Sequence, residues 1–133
     1  MNRCNIRMFL IFSHKMTGEQ IKDAGQSLGV ETLVEMPDNL KELWRQISPL
    51  SAEINTLLEP LRQWLESAAR PSDFVLIQGD FGATWLMVDF AFKNGLVPVY
   101  STTRRKARET VQPDGSIKTE HLFLHQRFRK YGC

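Results

Sequence analysis

The sequence predicts an α/β fold: a Rossmann-like, mostly parallel sheet flanked by helices, closed by a C-terminal β-hairpin. Three observations predict it. Short continuous apolar runs alternate with segments whose apolar residues recur at helical spacing. The runs are rich in branched and aromatic residues, as strands buried on both faces are. Near the end, Pro113-Asp114-Gly115 separates two strand-like stretches with a strong turn signal.

The elements follow in order. "IRMFLIF" (residues 6–12) is the first buried strand. Thr17-Gly18-Glu19-Gln20 is a capping-box pattern that opens a helix, Ile21, Ala24 and Leu28 follow at helical spacing, and Gly29 stops it. "VETLVEM" (30–36) alternates apolar and polar residues and reads as a second strand nearer an edge. Pro37-Asp38 opens a helix striped by Leu40, Leu43, Trp44 and Ile47. A further helical region over about 51–69 carries Ile54, Leu57, Leu58, Leu61, Trp64 and Leu65 on one face, with Pro60 kinking it or starting its second half. "DFVLIQG" (73–79) is the third strand. "ATWLMVDFAF" (83–92) is apolar nearly all round, the mark of an interior or interface helix. "LVPVYS" (96–101) is the fourth strand, although Pro98 counts against central pairing. The basic "TTRRKAR" then leads into the hairpin.

Composition bounds the function. The chain of 133 residues suits a single domain over 1–133, and 42% hydrophobic content supplies a packed core. No apolar run is long enough to span a bilayer, and the apolar start is too short for a secretory signal. Cys4 and Cys133 form neither a CxxC pair nor a metal-ligand spacing, a pattern of reducing compartments that predicts a cytoplasmic protein without a metal site. Net charge is +2 but uneven: residues 1–92 hold 8 Lys/Arg against 12 Asp/Glu, and residues 93–133 hold 9 against 3. A basic final third points to an anionic partner or to a solvated basic face.

Open parallel sheets bind ligands beyond the carboxyl ends of their strands. That rule selects Ser13-His14-Lys15, Gly79-Asp80-Phe81-Gly82-Ala83-Thr84, and Ser101-Thr102-Thr103-Arg104-Arg105-Lys106. In the second segment, Gly79 and Gly82 permit close backbone approach, the helix start favours an anion, and Thr84 adds a hydroxyl. Phe81 is suited to stacking on a base, and Asp80 to accepting from a ribose hydroxyl or base amine. The competing account is packing: Asp80 as N-cap, tight glycines and Phe81 in the core. In the third segment, Ser101, Thr102 and Thr103 followed by Arg104 and Arg105 make a phosphate cradle, or an ordinary basic turn. Strand periodicity puts His121, Phe123, His125 and Arg127 on one face, either as a lid over an anion or as polar surface. Neither the Rossmann GxGxxG nor a P-loop is present.

"FLIFSHKMTGEQIKDA", "DFVLIQGDFGATWLMVDFAF", "PVYSTTRRKA" and "HQRFRKY" together resemble a small CRISPR-associated family that accompanies type III systems and is grouped with the CARF (CRISPR-associated Rossmann-fold) proteins. The similarity covers nearly the whole chain. It implies a stand-alone CARF-like homodimer that binds cyclic oligoadenylate, above all cyclic tetra-adenylate, and linearises it without metal or cofactor. The expected reaction is attack of a ribose 2′-hydroxyl on the adjacent phosphate. On this reading Thr102, Thr103, Arg104 and the Gly79–Gly82 backbone hold phosphate. Ser13 and His14 orient the attacking ribose or take its proton. Asp80 and Phe81 meet sugar or base, and Arg105, His125 and Arg127 assist, in part across the dimer. Membrane and double-stranded DNA are not expected partners. Competing readings are a non-catalytic sensor or sponge for the same messenger, and a general RNA-binding or structural subunit.

Overall fold

A computed structural model describes residues 5–133, so Cys4 lies outside the described residues. Five strands form one sheet in the order β2-β1-β3-β4-β5. Four are parallel: β1 (Arg7–Phe12), β2 (Thr32–Glu35), β3 (Phe74–Gln78) and β4 (Val97–Val111). The last, β5 (Ile117–Lys130), runs antiparallel to β4. The expected α/β class and mostly parallel sheet are therefore present, and the β4–β5 pair fits the expected hairpin. Because β1 lies between β2 and β3, strand order reverses direction there, and the crevice between the carboxyl ends of β1 and β3 is the topological switch point.

Helix α1 (Gly18–Leu28) begins with the expected capping box. Thr17 Oγ1 accepts from the Gln20 amide at 3.2 Å, Gln20 Oε1 accepts from the Thr17 amide at 2.9 Å, and Gly29 ends the helix at φ 70°. This helix covers one face of the sheet over Met8, Leu10, Leu76, Val99 and Phe128. Helices α2 (Asp38–Arg45), α3 (Glu59–Ala68) and α4 (Phe81–Lys93) cover the other, around Phe9, Ile11, Trp44, Leu61, Ile77 and Met87.

Three sequence expectations are corrected. The long helix over 51–69 is a 3-10 turn at Thr56–Leu58 followed by α3, with Pro60 in the first turn of α3, where no intrahelical amide is needed. The fourth strand does not end at residue 101 but continues unbroken to Val111, so "TTRRKAR" is strand rather than loop. Pro98 is central, paired beside Val75, yet costs no bond to β3. Its carbonyl accepts from the Tyr131 amide at 3.0 Å on the β5 side, and the absent N–H would face that same side, where the β4–β5 register ends at Val99–Lys130.

From Thr103 to Leu124 the β4–β5 pair is mostly exposed. It leaves the sheet at the carboxyl edge as a two-stranded arm, and the stretch of β4 from Thr103 to Val111 gives it a reach of about 30 Å. The Gln112–Ser116 turn at its tip is closed by the Gln112 amide donating to the Ser116 carbonyl at 2.7 Å and by Asp114 accepting from the Ser116 amide at 2.9 Å.

Candidate functional site

The carboxyl edge gathers the three expected segments. Ser13, His14 and Lys15 follow β1 and are exposed. With Phe12, Glu35 and Lys41 they line a cleft of about 280 Å³ at the ends of β1 and β2. Lys41 pairs with Glu35 across it at 3.4 Å.

The β3–α4 turn has two halves with different causes. A Cβ at Gly79 would lie 2.6 Å from the Trp44 indole nitrogen, whose N–H donates to the Gln78 carbonyl at 2.9 Å. Glycine is required there to admit Trp44, so packing rather than ligand approach explains it. Asp80 is the N-cap of α4: its carboxylate accepts from the Ala83 amide at 3.0 Å. A Cβ at Gly82 would meet only ordinary contacts, so that glycine is not sterically required. Phe81 is not in the core. It is 95% exposed at the start of α4, open to stack on a planar ligand. The Thr84 hydroxyl is buried and has no hydrogen-bond partner, an orphan in the first turn of that helix.

At the root of the arm, the β3–β4 ladder ends at Leu76–Val99. Two residues on, the Gln78 side chain takes its place and accepts from the Ser101 amide at 2.8 Å. A β-bulge then falls between Thr102 and Thr103, with Gln126 the extra residue on β5. The bulge reverses the face of everything beyond it. His125 and Phe128, three residues apart, share a face with ring centroids 4.6 Å apart, which plain alternation forbids. His121, Phe123 and His125 therefore lie together on the α1 side, and Arg127 on the opposite side, which corrects the expected single face of four.

The bulge sorts the basic segment likewise. Thr103 and Arg105 pair with His125 and Phe123 on the α1 side, while Arg104 and Lys106 lie on the other. Arg104, Lys106, Leu124 and Gln126 line a groove of about 490 Å³ along the arm. Thr102 is not free to bind: its hydroxyl donates to the Arg127 carbonyl at 3.0 Å and accepts from the Arg127 amide at 3.2 Å, closing the ladder beside the bulge.

Asp23, which the sequence did not single out, and Gln20, which it marked only as a helix cap, complete a largely buried polar chain. Ser101 Oγ lies 2.5 Å from His125 Nδ1, and His125 Nε2 lies 2.7 Å from Asp23 Oδ2. Gln20, already held by the capping box, donates to Ser101 Oγ at 3.3 Å. The His125 side chain is 4% exposed and Ser101 is 7% exposed. His125 is thus occupied at both nitrogens and is not a free surface ligand. Burial alone would raise the Asp23 carboxyl; hydrogen bonds from Ser27 and His125, the His125 charge and the Phe128 amide outweigh it and hold Asp23 below its ordinary 3.8. The only sequence signal for this pairing is that Asp23 falls one turn beyond Gln20 on the capped helix.

Among the described residues, no group of three His, Cys, Asp or Glu side chains is placed to hold a metal ion, and no helix is long and apolar enough to cross a membrane.

The fold is of the open, mostly parallel α/β class, in which the carboxyl edge of the sheet is the usual place for a ligand. More narrowly, the family model described as the uncharacterized protein MJ1673 family matches residues 6–129, and the chain belongs to that family. It is 50% identical over 125 residues to the uncharacterized protein MJ1673 of Methanocaldococcus jannaschii, spanning 94% of this chain and 96% of the relative. No solved structure matches the chain.

Proposed function

We propose that the protein is a CARF-like, Rossmann-type ring nuclease of type III CRISPR defence. It binds cyclic tetra-adenylate and linearises it by metal-independent attack of a ribose 2′-hydroxyl on the neighbouring phosphate. The observation that carries this reading is the convergence at one sheet edge of groups suited to each part of the ligand. The exposed Phe81 ring suits an adenine, the groove beside Arg104 and Lys106 suits phosphates, and Ser13 and His14 beside the switch point suit a ribose. The sequence resemblance supports it independently. Thr103 and Arg105 flank the same edge from the arm.

The rate in such a site comes from holding the 2′-oxygen in line with phosphorus and from donors facing the charged phosphorane. The products are a 2′,3′-cyclic phosphate and a free 5′-hydroxyl. A cyclic ligand with rotational symmetry suits a two-fold dimer, and α4 offers a surface for one. Phe81, Trp85 and Phe92 recur at helical spacing along it and are all exposed. The reading places the protein in the cytoplasm, where the messenger acts.

Incubation of purified protein with cyclic tetra-adenylate in EDTA, with products separated by chromatography, tests the proposal. Linear product over repeated turnovers is expected. Stoichiometric binding without product would make the protein a sponge or sensor instead, and preference for linear RNA in competition would overturn the ligand assignment.

A further inference from the structure

We propose that Asp23, His125 and Ser101 form a proton relay that supplies the general base of the carboxyl-edge site. This rests on the ring-nuclease reading and names the group that reading leaves unassigned.

The hydrogen-bond directions follow from the inventory of donors and acceptors. Asp23, ionised, is acceptor-only, so His125 Nε2 carries the proton and donates across 2.7 Å. In the neutral imidazole Nδ1 is then the bare nitrogen and accepts from the Ser101 hydroxyl across 2.5 Å. The Gln20 amide donates to Ser101 Oγ, which settles the rotor and leaves that oxygen one further acceptor position. A hydroxyl held against an imidazole that is itself oriented by a carboxylate is the arrangement that raises a weak base at a chosen point. Packing does not call for it, since apolar side chains would fill the space of Ser101 and the His125 ring without buried polar groups to satisfy.

The relay lies on the α1 side of the sheet, the side that Thr103 and Arg105 share. Gln20 sits in the first turn of α1, and Ser101 is where β4 crosses the carboxyl edge. Only Ser101 needs to meet the ligand; His125 and Asp23 act through it and are positioning residues. Among the described hydrogen bonds and ion pairs, Asp23 on α1 is the one charged group that contacts His125. Ser101 on β4 and the Phe128 ring on β5 complete its surroundings.

The step balances without a co-reactant. As the 2′-oxygen bonds to phosphorus, its proton passes to Ser101 Oγ and the Ser101 proton passes to His125 Nδ1. The imidazolium is held by Asp23. The bond from phosphorus to the 5′-oxygen breaks, that oxygen takes a proton from water, and His125 returns its proton through Ser101 to solvent.

The test measures kcat, KM and the pH–rate profile for cyclic tetra-adenylate in EDTA, with binding by calorimetry and folding by urea titration, for the wild type and Ser101→Ala, His125→Gln and Asp23→Asn. General-base loss predicts a fall in kcat of about 100-fold or more for Ser101→Ala and His125→Gln, with dissociation constants within about threefold of the wild type. Asp23→Asn should displace the rising limb of the pH profile, which a purely structural contact would leave in place. Ser101→Thr, which keeps a hydroxyl, should recover part of the rate. If the wild type cleaves and folded variants keep its kcat and pH profile, the relay is overturned while the ring-nuclease reading stands. If the wild type binds the ring and never cleaves it, both fall.

Discussion

The ends of β3 and β4 lie side by side at the same edge, and they use their polar residues in opposite ways. The β3 end is conspicuous in sequence, with Gly-Asp-Phe-Gly opening a long apolar helix. Most of it is architecture: Gly79 admits Trp44, and Asp80 caps α4. The β4 end reads as a phosphate cradle or a basic turn, yet what it holds is the Ser101–His125–Asp23 chain, which connects two strands and a helix. A motif visible in one short stretch is readily spent on local structure. Chemistry assembled from distant segments leaves little trace in any one of them.

That contrast can be broken at several points. The largest stability effect belongs to the β3 end. Gly79→Ala forces a methyl into the Trp44 indole and should cost about 1–3 kcal/mol in urea unfolding, with overpacking as the cause. An unchanged midpoint would mean that Trp44 moves aside freely. Asp80→Ala removes the cap on α4 and should cost about 1 kcal/mol, with Asp80→Asn or Asp80→Ser recovering most of it. A cap that also meets the ligand would lose affinity in the Asn variant while keeping stability.

The β4 end should declare itself through pH. The folded-state pKa of Asp23 is lowered, so its contribution to stability is present above about 3.8 and is lost as pH falls through the lower folded value. Asp23→Asn should therefore flatten that part of the acid-unfolding curve, and an identical curve would remove the Asp23–His125 interaction from the account. The smallest stability effect is expected at Phe81. Phe81→Ser should change unfolding by less than about 0.5 kcal/mol because the ring is exposed. It should nonetheless weaken cyclic tetra-adenylate binding by about 1–3 kcal/mol if the ring stacks on a base.

Much of the fold was legible because it is written locally. The capping box at Thr17–Gln20, the Gly29 stop, three buried strands and the Gln112–Ser116 turn depend on neighbours in sequence, and all are present. The errors fell where tertiary context overrides the local pattern. Pro98 was marked against a central position because sequence does not show which side of a strand its missing N–H faces. The 51–69 stripe kept its apolar period but not its helix, since Pro60 begins α3 and the preceding residues supply only a 3-10 turn. One bulge at Thr102–Thr103 moved Arg127 to the opposite face, and period-two reasoning cannot anticipate an inserted residue.

The sequence alone determined the α/β class, the order of its elements and the sheet edge where the candidate residues gather, because hydrophobic period and turn chemistry act over a few residues. Only the tertiary structure decided which polar residues meet. Asp23 and His125 stand 102 positions apart, and Gln20 and Ser101 stand 81 apart. They are joined by the passage of α1 across the sheet and by one bulge in β5, and neither follows from any short stretch of the chain.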